Sequence, residues 1–376
     1  MTDHLPKVAF LFKEGRKNKV RNDVGSYPTE FFYGYAQLKA TNEGVSLIEE
    51  QDLLGSQSPN FVWRLINHLT YGGFGLNAWA LKAIFTTQSR AMLNQFDVII
   101  TTSNIFAVVL GAAQHFGLLK PQVVSFVMGV ITPDMPFWRR QSILWALKGT
   151  RILTISKGEQ AYLQKLGRGR INCHYLPFGV DAEFWTPLAS MHDSHELTEP
   201  YVLSIGNDRF RDYQTLVASW KPHFPLLKII TKLPVDHAAQ NIEVIEGDMW
   251  KQTFSDAEIR SLMQKALFVV IPLHKTIQPS GQSATLQAMA CGKTVVLSNI
   301  EGLWDRSLMV NEESCWLVEP ESVDDLTSAV SRLLEHTMKT KDIGIHARTV
   351  VTQHLNTEIL ANSLRDHLAQ VVKNEK

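Results

Sequence analysis

The stretch from Leu267 to Val296, LFVVIPLHKTIQPSGQSATLQAMACGKTVV, decides the fold because it contains a strand, a turn and the beginning of a helix. The apolar run LFVVIPL is typical of a strand that is covered on both faces. A Pro-Ser-Gly turn at 279–281 ends the strand, and good helix formers resume at 284–290. We predict that Ser280 or Ser283 caps this helix.

This junction between strand and helix also predicts a phosphate site. The N–H groups of a first helical turn have no acceptor within the helix, and together with the helix dipole they favour an anion. Gly281 has no Cβ, so a ligand can approach its backbone closely. The predicted diphosphate-binding residues of the turn are Ser280, Gly281, Gln282 and Ser283.

Gly292, Lys293 and Thr294 match the end of a P-loop, but the rest of that motif is missing. A P-loop requires a further glycine five residues before Gly292, and Gln287 occupies that position. The GKT of this chain also follows a predicted helix, whereas the GKT of a P-loop begins one. The sequence therefore argues against an ATPase or a kinase.

Short apolar runs alternate with amphipathic segments along the whole chain, which predicts parallel sheets with right-handed crossovers. A polar stretch at 186–200 separates two sets of runs and is predicted to be a linker. We predict one α/β domain over 1–185 and another over 201–352, both doubly wound, with ligands bound in a cleft at the carboxyl ends of their strands. The runs are KVAFLF, DVIITT, VVSFVM and RILTIS before the linker, and YVLSIG, LKIIT, IEVIEG, LFVVIPL and TVVLSN after it.

The composition, 45% hydrophobic and 20% charged in 376 residues, is that of an ordinary globular protein. Basic and acidic residues number 37 each, so net charge offers no argument for nucleic-acid binding. Three widely spaced cysteines, Cys173, Cys291 and Cys315, predict buried thiols in a reducing cytoplasm. No Cys/His ligand spacing predicts a metal site, and the N-terminal run VAFLF is too short for a signal peptide.

One uncharged stretch, 98–119, has about the length of a membrane span. It nevertheless contains Thr, Ser, Asn, Gln and His side chains, which a bilayer would desolvate, and its β-branched character changes at Asn104. We therefore predict a buried strand at 97–102 and a helix that is capped near Asn104.

The segment PSGQSATLQAMACGKTVV resembles the donor-site motif of family 4 glycosyltransferases, which are retaining enzymes of the GT-B fold. Four further segments resemble this family and occur in its order: FDVIITTSNIFAVVLGAAQHFGL, RILTISKGEQAYLQKLG, CHYLPFGVDAEFWTP and YVLSIGNDRFRDYQTLVASW. The resemblance implies two Rossmann-like domains that face each other across a cleft. It also implies a C-terminal helix, within 353–376, that packs back on the N-terminal domain.

The chain departs from the family at residues that contact the donor. Two family glutamates, spaced E-x7-E, bind the donor sugar and the ribose, and here Pro279 and Gln287 occupy their positions. Gln287 can bind ribose hydroxyls through its amide, whereas Pro279 has no polar side-chain atom. Many members also have a histidine where this chain has Met128. The resemblance therefore leaves the donor sugar open.

Arg211 is the predicted catalytic and diphosphate-binding residue. The YVLSIG strand is expected to end at Gly206 and a helix to begin near Asp212, so Arg211 follows the carboxyl end of the strand. A guanidinium grips two phosphate oxygens and stays charged. The resemblance implies the same role, because the family has a Lys or Arg about five residues after this glycine. The alternative is a surface arginine paired with Asp208 or Asp212, and for the neighbouring Arg209 we prefer a surface position.

The N-terminal loop contains the nearest equivalents, Gly25 and Ser26, of a family turn near donor phosphate and acceptor. The basic run Arg16 to Arg21 is interpreted as a solvated face, with an acceptor or lipid-phosphate patch as the alternative. Segments 61–85 and 134–149 combine Trp with Arg and are interpreted as core helices around an acceptor cleft, with a membrane interface as the alternative.

Taken with the resemblance, these features predict a retaining glycosyltransferase that moves a hexose from a UDP- or GDP-linked sugar to a hydroxyl acceptor, either a lipid, a glycan or a small molecule. No Asp-x-Asp pair is present to hold Mg²⁺, so no metal or other cofactor is expected. We expect a cytoplasmic location, either free or peripheral at the inner membrane face. Two alternatives remain open, a noncatalytic GT-B protein that binds a nucleotide sugar or glycan, and a GT-B phosphorylase or epimerase.

Overall fold

The computed structural model describes residues 6–22, 27–55, 59–188, 199–247 and 253–373. The chain forms two compact units, one comprising 1–24, 32–176 and 360–376, the other comprising 25–31 and 177–359. The boundary after residue 176 precedes the predicted linker at 186–200. Most of that linker, and both Gly25 and Ser26, lie outside the described residues.

The first unit contains a parallel sheet of six strands. They are β1 (Val8–Phe12), β2 (Val45–Glu49), β3 (Val98–Thr101), β4 (Gln122–Val127), β5 (Arg151–Thr154) and β6 (Cys173–Tyr175). Their order in the sheet is β2-β1-β3-β4-β5-β6. The helices are α1 (Arg16–Asn22), α2 (Tyr35–Thr41), α3 (Glu50–Leu54), α4 (Phe61–Phe74), α5 (Ala78–Phe85), α6 (Thr87–Leu93), α7 (Asn104–His115), α8 (Phe137–Leu147) and α9 (Lys157–Gly167), with a 3₁₀ turn at Glu30–Phe32.

The second unit contains another six-stranded parallel sheet. Its strands are β7 (Tyr201–Ile205), β8 (Leu226–Thr231), β9 (Ile242–Glu246), β10 (Val269–Ile271), β11 (Val295–Ser298) and β12 (Trp316–Val318), in the order β12-β11-β10-β7-β8-β9. The helices are α10 (Tyr213–Ser219), α11 (Asp256–Lys265), α12 (Gln282–Ala290), α13 (Val323–Glu335) and α14 (Thr337–His354). The strand order reverses between β7 and β10, so a ligand crevice is expected at the carboxyl ends of these two strands.

A final helix, α15 (Thr357–Lys373), belongs to the first unit from residue 360 onward. It packs closely against Gly34, where an added Cβ would lie 3.2 Å from the Cα of Ala361. Gly34 has a φ of +82° and precedes α2 as its N-cap, so glycine satisfies both a left-handed turn and a tight contact.

The predicted fold class, two Rossmann-like α/β domains, is confirmed by these two parallel sheets with helices around them. The strand and helix predicted within 98–119 are confirmed as β3 and α7. Within the described ranges, no helix is both long and apolar enough to cross a membrane. Strands β2, β6 and β12 were not predicted, because β2 and β6 include polar residues and the apolar run of β12 is only three residues long.

Candidate functional site

Just after the carboxyl end of β7, the side chain of Arg211 packs against the backbone of Gly206. An added Cβ at Gly206 would lie 2.1 Å from the Arg211 Nε, so only glycine leaves space for the guanidinium. Arg211 is 8% exposed, and its backbone forms an isolated bridge with Leu273, just after β10. The side chain is therefore held at the switch point of the sheet. Because Arg211 is buried, the alternative of a surface arginine is wrong in its placement, but the pairing with Asp208 that it included is present.

Asp208 pairs with Arg211 and also binds the turn that precedes α12. Its Oδ2 lies 2.8 Å from the Arg211 Nε, while its Oδ1 accepts a hydrogen bond of 2.7 Å from the Ser280 hydroxyl. The contact with Nε is an ion pair without hydrogen-bond alignment, and Arg211 Nε and Nη1 are both buried without a hydrogen-bond partner. An Arg211 that is incompletely satisfied has donor capacity for an anionic ligand.

Helix α12 begins at the predicted turn, but its N-cap differs from the prediction. Gly281, with a φ of +75°, is the N-cap and makes no side-chain capping bond. The predicted caps, Ser280 and Ser283, are wrong because the Ser280 hydroxyl binds Asp208 and Ser283 already lies in the helix. An added Cβ at Gly281 would lie 3.3 Å from Arg211 Nη1 and 2.6 Å from Ile271 Cγ2. The turn therefore lies next to the guanidinium.

The structure thus brings Arg211, Ser280 and Gly281 together and places Gln282 and Ser283 in the first turn of α12. First-turn amides, such as those of Ser283 and Ala284, have no acceptor within a helix. A buried cation, a hydroxyl and a positive helix end therefore converge on one place. This combination favours a ligand with several anionic oxygens, such as a diphosphate.

The helix α10 after Arg211 begins as predicted. Asp212 is its N-cap, and Oδ1 accepts a 3.0 Å hydrogen bond from the Thr215 amide. The other carboxylate oxygen of Asp212 lies 3.8 Å from His274 Nδ1. Arg209, in contrast, is exposed, with its guanidinium 4.7 Å from the Phe210 ring centroid, which agrees with its predicted surface position.

Gln287 lies further along α12 and is buried against a carboxyl group that the sequence did not identify. Its Nε2 donates a 2.9 Å hydrogen bond to Oε1 of Glu30. Glu30 is fully buried and also accepts bonds from Trp185 Nε1, at 2.8 Å, and from the Asp181 amide, at 3.2 Å. The alternative of a Gln287 that is exposed on the helix is therefore wrong, whereas its ribose contact stays a prediction.

Burial strongly affects the titration of Glu30. It raises the pKa of the carboxyl to about 7, although the hydrogen bonds from Gln287 and Trp185 favour the carboxylate and lower it. No local signal marks Glu30 in the sequence, where it is one acid between Thr29 and two phenylalanines. It joins the second unit through contacts with residues more than 150 positions away.

Met128 stands in the first unit, at the position where many members of the family that the sequence resembles have a histidine. Met128, just after β4, receives a weak hydrogen bond of 3.9 Å from the Tyr33 hydroxyl to its sulfur. Its backbone is held by both side-chain amide atoms of Asn104, at 2.8 and 3.2 Å. The next amide, of Gly129, donates a 2.6 Å bond to Glu159, whose pKa burial raises to about 8. These contacts fix the loop after β4.

The N-terminal basic run forms α1 and is partly packed. Arg16 lies 5.8 Å from the Phe32 ring centroid, and burial lowers its pKa. Lys17 pairs with Asp52. The interpretation of the basic run as a solvated face is therefore wrong for Arg16 and Lys17. Its alternative role as a phosphate patch stays a prediction. All three cysteines are buried and free, as predicted.

Comparisons with known proteins agree with this architecture. Residues 235–336 match the family model described as Glycosyl transferases group 1. At the level of sequence, no curated protein gives a significant match.

Among solved structures, sucrose-phosphate synthase from Thermosynechococcus elongatus is 16% identical, with a TM-score of 0.72 and coverage of 98% of this chain and 99% of that one. HepE from Anabaena, solved in complex with UDP-glucose, is 14% identical, with a TM-score of 0.68 over 97% and 100% of the two chains. A glycosyltransferase from Rickettsia africae is 12% identical, with a TM-score of 0.65 over 98% and 99%. The chain therefore has the two-domain, Rossmann-like GT-B fold of these proteins.

Proposed function

We propose that this protein is a glycosyltransferase that moves a hexose from a nucleoside diphosphate sugar to a hydroxyl acceptor, with retention of anomeric configuration and without a metal ion. One observation carries the proposal. A buried, incompletely hydrogen-bonded Arg211 meets the N-terminal turn of α12 at the switch point of the second sheet. The family-model match over 235–336, which includes this turn, supports the same activity.

The chemistry follows from where charge develops. Cleavage of a glycosyl–phosphate bond leaves negative charge on the departing nucleoside diphosphate. The Arg211 guanidinium and the first-turn amides of α12 stabilise that charge in the transition state. These groups supply the positive charge that a Mg²⁺ would otherwise bring, which is why we propose a metal-independent reaction. The acceptor hydroxyl attacks from the face that the leaving group vacates as the glycosyl–phosphate bond breaks, its proton passes to an oxygen of the departing diphosphate, and no protein nucleophile is required.

Asp208 has a positioning role in this proposal. In the free protein its carboxylate occupies the anion position, since it contacts both Arg211 and the Ser280 hydroxyl. A diphosphate carries more charge and more acceptor oxygens than one carboxylate, so it competes effectively for the same donors. Asp208 thus keeps the guanidinium across Gly206 until the donor arrives.

The proposed ribose contact uses Gln287. Its Nε2 is occupied by Glu30, so its Oε1 is the atom that accepts a hydrogen bond from a ribose hydroxyl. Glu30 orients the amide, and Trp185 in turn orients Glu30. The nucleotide is UDP or GDP, and UDP is tested first because the similar HepE was crystallised with UDP and UDP-glucose.

The proposal is tested with a panel of UDP-, GDP- and ADP-sugars in the presence of simple hydroxyl acceptors and EDTA. Release of nucleoside diphosphate and a new glycoside of unchanged anomeric configuration, identified by NMR, is the expected result. Donor binding without turnover for any acceptor would replace the proposal with a noncatalytic nucleotide-sugar-binding protein. Pro279 and Met128 replace a glutamate and a histidine that contact the sugar in the family that the sequence resembles. These two replacements favour the noncatalytic nucleotide-sugar-binding protein as the second candidate. Release of sugar 1-phosphate in the presence of inorganic phosphate would instead indicate a phosphorylase.

A further inference from the structure

Helix α4 has its apolar face turned away from the protein. Phe61, Leu65 and Leu69 follow one another at four-residue spacing and are 79%, 51% and 63% exposed. Val62 and Ile66, which neighbour them on the same side of a helix with 3.6 residues per turn, are exposed as well. These five residues are called the outer stripe.

The opposite side of α4 faces the protein and is the less apolar one. Trp63, Asn67 and Thr70, spaced by four and three residues, are the partly buried residues on that side. No residue of the 14-residue helix is fully buried. In a helix that packs on a core, the apolar side is the covered one. The interpretation of α4 as a core helix is therefore wrong, and the outer stripe has no partner among the residues of the first unit that the structure describes.

Basic residues outnumber acidic ones in the segments next to the outer stripe. Residues 59–96 contain Arg64, Lys82 and Arg90 and no Asp or Glu. Residues 134–149, which include α8, contain Arg139, Arg140 and Lys148 and a single acid, Asp134. The chain as a whole has equal numbers of acidic and basic residues, so their separation here is specific to this region. A partner for this surface must combine an apolar interior with negative charge.

Aromatic residues and cations are interleaved around the helix. The Lys82 ammonium lies 4.6 Å from the Trp63 ring centroid and 4.9 Å from that of Trp79, and the Arg139 guanidinium lies 4.9 Å from that of Tyr71. Helix α8, which packs against α4, begins with the exposed Phe137 and Trp138. Exposed aromatic residues next to Arg and Lys are the groups that settle at the boundary between lipid headgroups and acyl chains.

We propose that α4 binds the surface of an anionic lipid bilayer, with the outer stripe inserted below the headgroups and Arg64, Lys82 and Arg139 close to lipid phosphates. A membrane supplies both properties that this surface requires, an apolar layer and a continuous negative charge. The helix lies in the plane of the interface. This binding is separate from the sugar-transfer proposal and persists whether or not the protein is an enzyme.

Flotation with lipid vesicles tests the proposal on the full chain. Vesicles of phosphatidylcholine with about 30% phosphatidylglycerol are compared with vesicles of phosphatidylcholine alone. The wild type should float with the anionic vesicles and much less with the neutral ones. The double variant Leu65→Glu/Leu69→Glu should lower the partition coefficient about tenfold or more, because two inserted apolar side chains become charged. Arg64→Gln should lower it about fivefold, as expected for one cation near the lipid surface.

Ile345→Glu is the matched control. Ile345 is 66% exposed on α14 of the second unit, so this variant introduces the same charge at an equally exposed apolar residue and should float like the wild type. Thermal unfolding should hardly distinguish these surface variants from the wild type. Failure of the wild type to float with anionic vesicles, or flotation of the double variant equal to wild type, would overturn the proposal. A wild-type dimer that the double variant converts to a monomer in analytical ultracentrifugation would also overturn it, by assigning the outer stripe to a second copy of the chain.

Discussion

Helices α4 and α12 use their apolar residues in opposite ways. In α12, eight of nine residues are buried, and the polar Gln282, Thr285 and Gln287 are buried with the aliphatic ones. In α4, none of 14 residues is buried, and its outer stripe is exposed. The amphipathic helix is thus the exposed one, and the helix without a clear apolar face is enclosed. Periodicity shows that a helix has two different sides, but only its neighbours determine which side is covered.

This comparison has a functional consequence. An enclosed helix with a positive N-terminal end can bind and orient an anion inside the protein, because its surroundings exclude water and hold its partners in place. An exposed amphipathic helix can bind only at an interface. We therefore expect substitutions in and around α12 to have large effects on stability and nucleotide binding, and substitutions on the outer stripe of α4 to change neither.

The largest expected effect is that of Arg211→Ala on turnover. Loss of an oriented cation at the developing charge should reduce kcat/KM about 100- to 1,000-fold. Arg209→Ala is the control, because Arg209 is an exposed arginine two residues away whose guanidinium lies over the Phe210 ring. Its activity should stay within about threefold of wild type. Equal losses in the two variants would show that general positive charge, and not the position of Arg211, is what matters.

The buried Glu30 below α12 should make stability depend on pH. Its folded pKa of about 7 lies above the ordinary value of 4.5, so folding favours the protonated carboxyl. The contribution of Glu30 to the free energy of unfolding is complete below about pH 4.5 and is lost as the pH rises through about 7. The total loss is at most roughly 3 kcal/mol. Glu30→Gln removes this titration and should therefore gain stability relative to wild type over that range.

Urea unfolding of wild type and Glu30→Gln at several pH values measures this effect. Other buried carboxyls, such as Glu159, titrate in both proteins, so only the difference between the two curves reports on Glu30. Curves that run parallel from about pH 4.5 to 7.5 would show that Glu30 does not change its protonation there.

Alanine substitutions at one glycine of each helix should change the free energy of unfolding in opposite directions. Gly281→Ala should destabilise the protein by about 2 kcal/mol, because the new Cβ would lie 2.6 Å from Ile271 and φ is +75°. Gly73→Ala in α4 should stabilise it by about 0.5–1 kcal/mol, since nothing lies within 4 Å of the added Cβ and alanine favours a helix. Thermal and urea unfolding of both variants measures the difference, and effects of the same sign would contradict the described packing.

The smallest expected loss is that of nucleotide binding in a Gln287 variant. Gln287→Leu should weaken UDP binding by about 1.5 kcal/mol, roughly tenfold, and abolish discrimination between UDP and its 2′,3′-dideoxy analogue in calorimetric titrations. Gln287→Glu alone is a poor control, since it places a second carboxyl against Oε1 of Glu30. The double variant Glu30→Gln/Gln287→Glu preserves one carboxyl and one amide and should bind UDP like wild type. If Gln287→Leu discriminates as well as wild type, Gln287 does not contact the ribose.

The sequence by itself determined the elements that depend on neighbouring residues along the chain. Continuous apolar runs predicted β7, β10 and β11, and the change of character at Asn104 separated β3 from α7. The position of Arg211 after a strand, and of Asp212 at the beginning of α10, also followed from local order. These predictions succeeded because hydrophobic periodicity and helix capping act over only a few residues.

Only the tertiary structure decided which distant groups meet. Gly281 displaced the predicted serine caps because Asp208, about 70 residues earlier in the chain, engages the Ser280 hydroxyl. The contact between Glu30 and Gln287 joins residues 257 positions apart, and no local pattern encodes it. The exposure of the outer stripe likewise depends on what the rest of the first unit leaves uncovered. Periodicity is a property of a segment, whereas burial and charge pairing are properties of the whole fold, which is why the sequence alone could not supply them.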